Sequence, residues 1–142
     1  MGKKYEASVL MLRVVLGIIF FVHGLVKFQG GIENTAGWFA SIGIPGFLAY
    51  AVAFIEMVGG IALILGLFSR VVSGLLAVIM AGAILTVKLS AGLLGDGVSA
   101  GYELDLALLA MAVFIAVNGS KLYALDQVVF KKQEQGNTIL NN

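Results

Sequence analysis

FLAYAVAFIEMVGGIALILGLF, residues 47–68, decides the fold class, because Glu56 is the only charged side chain in it. A bilayer core of about 30 Å is crossed by about 20 mainly apolar residues in a helix, so the stretch reads as a membrane span. Similar runs at 7–28 and 71–89 flank it, and a shorter one lies at 102–118. The shorter run fits a bilayer if Glu103 and Asp105 sit at its interface. Only Ser69 and Arg70 separate the second run from the third, which forces an antiparallel hairpin.

These segments imply an all-α protein, an antiparallel four-helix bundle in the membrane, formed by residues 1–130. The chain of 142 residues is 60% hydrophobic and 12% charged, outside the balance of a soluble domain, and its mean hydropathy is +1.02. The first apolar stretch is long and lacks a small-residue cleavage site, so it reads as a retained helix. Residues 131–142 read as a polar, disordered tail. Gly30, Gly31, Trp38 and the Gly43-Ile44-Pro45-Gly46 run mark a connection on the membrane surface, with Trp38-Phe39 as an interfacial anchor. The Gly-rich loop from Ser90 to Gly101 reads as flexible or re-entrant.

Lys3, Lys4, Arg70, Lys121, Lys131 and Lys132 fall on one side of this threading. The positive-inside rule makes that side the cytoplasm and puts both termini there. A net charge of +1 gives no basis for a nucleic-acid partner. With no cysteine, the chain forms no disulfide and holds no iron–sulfur cluster of its own. One histidine cannot supply two imidazole ligands to a haem. Redox chemistry would need a bound cofactor or a partner protein.

Seven ionisable groups lie within or at the rim of the apolar runs: Arg13, His23, Lys27, Glu56, Lys88, Glu103 and Asp105. At a helix centre each costs about 2.5–3.5 kcal/mol or more, so partners or functions are expected for them. Glu56 is the deepest. Arg13 comes within roughly 10 Å of it in depth and is the most obvious partner, with His23 as the rival. Lys27, Lys88, Glu103, Asp105 and His23 can converge on an outer pocket. Alternatively, both lysines snorkel to the headgroups while the two acids favour the N-terminal turn of the last helix. Gly17, Gly24, Gly59, Gly60, Gly66, Gly74 and Gly82 suit close helix packing. Self-association is a further expectation for so small and glycine-lined a bundle.

The order of these residues resembles the DoxX family of small membrane proteins. The resemblance runs through Arg13-Val14-Val15-Leu16-Gly17, His23-Gly24-Leu25-Val26-Lys27, Glu56-Met57-Val58-Gly59-Gly60 and Gly66-Leu67-Phe68-Ser69-Arg70. After Glu103 it closes on Asn118 to Asp126, with Ala124 where the family commonly has serine. It implies a multi-pass protein of a bacterial or archaeal inner membrane, associated with oxidative-stress defence and with sulfur, catechol or quinone metabolism. Carried over by position, the recurring polar residues are Arg13, Lys27, Glu56, Arg70 and Glu103, whereas the His23 position often holds another residue.

The leading functional expectation is a membrane subunit of a quinone-linked oxidoreductase, served by a soluble redox partner. In it Glu56 relays a proton, His23 and Lys27 contact a carbonyl oxygen, and Arg13 holds Glu56 charged, with Glu103, Lys88 and Asp105 completing the binding residues. Proton-coupled transport through Glu56 and a scaffold for a soluble enzyme are the other two readings.

Overall fold

The structure, a computed structural model, describes the backbone of residues 2–140 and side chains through residue 133. It is helical, with no named strand among the described residues. Among these residues six α-helices run α1 Lys3–Gln29, α2 Ile32–Ser41, α3 Phe47–Leu65, α4 Ser69–Ala83, α5 Glu103–Asn118 and α6 Leu125–Leu140. One π-helical turn, Ile84–Lys88, and one 3₁₀ turn, Leu89–Ala91, extend α4. Among the described residues, three helical stretches are long and apolar enough to cross a membrane: Lys3–Gln29, Phe47–Leu65 and Ser69–Ala91. The sixteen residues of α5 reach about 24 Å at 1.5 Å each, short of a full crossing unless its acidic first turn sits at the interface.

Helix α1 packs along α3, α4 along α5, and α3 against α4, while α1 also touches α5. Glycine sets the first contact. A methyl group on Gly24 would fall 2.5 Å from Met57 N, and one on Gly60 would fall 2.5 Å from Phe21 N. The two backbones therefore touch where lipid supplies no hydrophobic drive and close packing must hold the helices together. Gly74 and Gly82 do not follow the packing expectation, since a methyl at either meets nothing within 4 Å. The core at the helix junction is Leu16, Phe20, Leu63, Leu76, Met80, Leu108, Ala112 and Ile115. Apolar side chains such as Met11, Ile18, Phe54, Val58 and Val78 point outward, as a lipid-facing surface requires.

At one end the chain is tied together by its own carbonyls. Helix α3 stops at Gly66, whose φ of 74° lets Leu67 N donate to Ala62 O and Gly66 N to Leu63 O, closing the helix end. The turn that follows is tied to the start of α6, because Phe68 N donates to Asp126 Oδ2 and Asp126 N donates to Gly66 O. Arg70 donates to Ala116 O and Val117 O, satisfying carbonyls that the end of α5 leaves open. Tyr5 packs on Phe114 at the same end, with ring centroids 6.4 Å apart.

Three segments carry structure that composition does not show. The surface connection contains a helix, α2. Helix α6 continues through most of the segment read as a disordered tail. The loop before α5 is tied by its own hydrogen bonds: Asp96 accepts from Val98 N and Ser99 N, and Gly95 bridges Ala100. Short turns of this kind close on a single carboxylate, which composition does not reveal.

Candidate functional site

At the opposite end, α1, α2, α3, α4 and α5 diverge around a cavity of about 420 Å³. That size lies within the usual 300–1,000 Å³ of small-molecule sites. Its walls are mostly apolar and partly aromatic: Phe20, Trp38, Phe39, Ile44, Leu48, Val52, Ile79, Met80, Ala83, Val87, Leu104 and Leu108. The titratable groups lining it are His23, Lys27, Glu56, Lys88 and Asp105.

Four of these form two ion pairs. Lys27 Nζ lies 2.5 Å from Glu56 Oε2, joining α1 to α3, and Lys88 Nζ lies 2.6 Å from Asp105 Oδ2, joining the π-helical turn to α5. Both carboxylates are buried while the lysines keep partial exposure. A lysine stem that follows apolar wall and delivers its ammonium to an acid is well suited to this boundary. The Lys27 ammonium also makes a long contact, 3.4 Å, to His23 O.

The expected Arg13–Glu56 pair is not formed. Gly24 packs level with Ala53 and Met57, which puts Glu56 about one turn below Lys27. Arg13 lies eleven residues before Gly24, about 16 Å along the helix. It is fully buried and donates instead to Ser120 O, Ser120 Oγ and Tyr123 O, in the turn after α5. His23 is exposed at the cavity rim and does not pair with Glu56. Glu103 is exposed in the first turn of α5 and does not line the cavity. The structure thus brings together His23, Lys27, Glu56, Lys88 and Asp105, and leaves Arg13 and Glu103 outside.

Trp38 and Phe39, read from sequence as a surface anchor, form part of the wall. Phe20 lines the cavity, whereas Phe28, Phe54 and Phe68 are exposed. Thr86 and Gly82 also line the cavity, and no sequence signal marks them as site residues. The Thr86 hydroxyl donates to Gly82 O at 2.7 Å within the widened turn that carries Lys88. Turns of this π type occur mostly singly and often at functional sites, and here one carries a wall residue and an ion-pair partner together.

Three comparisons bear on the chain. The DoxX family model matches residues 8–89. A Bacillus subtilis protein named "Putative oxidoreductase CatD" is 47% identical over 137 residues, covering 96% of this chain and 98% of the relative. "Uncharacterized membrane protein Rv3486" of Mycobacterium tuberculosis is 33% identical, covering 88% of this chain and 83% of its own. "Inner membrane protein YqjF" of Escherichia coli is 28% identical, covering 93% and 99% respectively. No solved structure matches the chain.

Proposed function

Because the chain belongs to the DoxX family of membrane proteins, we propose that it is a four-helix inner-membrane subunit of a quinone-linked oxidoreductase system. The cavity is where it takes a quinone or a small phenolic or sulfur compound. The oxidoreductase part of this reading is supported by the name of the Bacillus relative. The observation that carries it is the cavity itself: apolar walls fit a flat ring, and two lysine–carboxylate pairs supply polar contacts within them.

Helices α1, α3, α4 and α5 form the bundle, with α5 reaching the bilayer surface through its acidic first turn. The lysine-rich end, where Arg70 and Lys121 lie, faces the cytoplasm, and the cavity opens towards the other leaflet. Lys27 and Lys88 offer N–H groups to ligand oxygens, and Glu56 and Asp105 accept from hydroxyls or pass protons. His23 completes the rim. Electrons come from a soluble redox partner. Arg13 and Glu103, carried over from the family pattern, take other roles: Arg13 holds the turn after α5, and Glu103 favours the N-terminal end of α5.

Trp38 is the single tryptophan and lines the cavity, so its fluorescence reports occupancy. Menaquinone added to purified protein should quench it saturably. Glu56→Gln and His23→Ala should each weaken binding about tenfold, the equivalent of about one hydrogen bond. Gly82→Leu, which places a side chain into open cavity space, should abolish it. Absence of saturable binding by the unaltered protein would contradict the reading.

A further inference from the structure

We infer that the cavity selects an uncharged ring compound bearing hydroxyl or carbonyl oxygens and rejects oxyanions, sulfur oxyanions included. The inference rests on the ligand-binding role proposed above and narrows its substrate class.

Charge neutrality carries it. Each lysine in the wall is committed to one carboxylate, Lys27 to Glu56 and Lys88 to Asp105. Wherever the proton of a pair resides, the pair sums to zero. His23 is the remaining titratable lining group, and it stands exposed at the rim. Arg13, a cation otherwise suited to an anion, is spent on carbonyls at the opposite end. An oxyanion could gain a cation only by drawing a lysine off its acid, leaving buried Glu56 or Asp105 uncompensated.

Hydrogen-bonding capacity points the same way. The lysine contacts run through Glu56 Oε2 and Asp105 Oδ2, so Oε1 and Oδ1 have no hydrogen-bond partner among the described residues. Lys88 retains two N–H groups beyond the one given to its acid, and Lys27, which also reaches His23 O, retains one. Each pair therefore offers both a donor and an acceptor. A carbonyl can accept from the lysine and a hydroxyl can donate to the acid, so a quinone and its quinol both fit without breaking either pair. An oxyanion has only acceptors and meets a carboxylate oxygen at each pair.

Three probes of matched shape test this by Trp38 quenching: naphthoquinone, its neutral sulfonamide and its anionic sulfonate. The expected result is saturable binding of both neutral compounds, with the sulfonate weaker than the sulfonamide by at least about a hundredfold. Equal binding of sulfonate and sulfonamide overturns the selectivity while leaving the ligand-site reading intact. Failure of all three to bind overturns both. Glu56→Gln frees Lys27, and should cut the sulfonamide-to-sulfonate ratio to about tenfold or less, with the sulfonate gaining affinity. Asp105→Asn makes the same test at the other wall if the first variant does not fold. An unchanged ratio in a folded variant overturns the part assigned to the ion pairs.

Discussion

Lys27 on α1 reaches down one helical turn to hold Glu56 on α3, Nζ to Oε2 at 2.5 Å, with 4% of the glutamate side chain exposed. A buried pair of this kind adds little over apolar packing, but losing one partner strands the other. Lys27→Met should therefore destabilise the protein by about 3 kcal/mol or more. The double variant Lys27→Met/Glu56→Gln should recover most of the loss. Unfolding in detergent, read as a double-mutant cycle, checks the coupling.

The α1–α3 contact should tolerate no added methyl. Gly24→Ala and Gly60→Ala each drive a methyl to 2.5 Å from a backbone nitrogen of the facing helix, so each should cost about 2 kcal/mol or more in thermal stability. Gly74→Ala meets open space and should be neutral or slightly stabilising, since alanine is the better helix former.

Arg13 is expected to act on the turn after α5 and not on the cavity. Arg13→Met should raise hydrogen exchange and proteolysis around Ser120 to Tyr123, with a loss of about 2–3 kcal/mol from its charged hydrogen bonds. Menaquinone affinity in the folded variant should stay within about twofold of the unaltered protein. A selective loss of affinity with the turn still protected would place Arg13 in the site.

How far the sequence revealed this arrangement depends on what each residue competes with. Hydropathy located α1, α3, α4 and α5 because length and apolarity are properties of the segment itself. The pairing of Glu56 was not legible by counting depth. Arg13 has a rival set of acceptors at Ser120 and Tyr123, brought to it by a chain reversal that the pattern does not encode. The level of α1 against α3 is set by Gly24 and Gly60, and a bare count of residues from the membrane edge overlooks that contact. Lys88 and Asp105 were visible as candidates. The turn that brings them together is π-helical, and one extra residue per turn leaves no signature in composition.

Asp96 gives a pH dependence outside the membrane spans. Backbone N–H groups of Ser99 and Val98 hold its carboxyl below the usual range by stabilising the charged form. Because the folded value is depressed, this support for the loop is present above the ordinary carboxyl value of about 3.9 and is lost as pH falls through the folded one. A carboxyl carbon titration by NMR should give a midpoint below that of an unstructured aspartate. Asp96→Ala should loosen the loop at neutral pH.

The cavity between Lys27–Glu56 and Lys88–Asp105 is expected to hold the ligand. Photo-crosslinking with an azido-quinone, mapped by peptide mass spectrometry, locates the bound ring. The expected adducts fall on cavity residues such as Trp38, Leu48, Val52, Ile79 and Ala83, and vanish with excess menaquinone or in Gly82→Leu. Labelling confined to outward-facing residues such as Phe54, Val58 and Val78, undiminished by menaquinone, would contradict it.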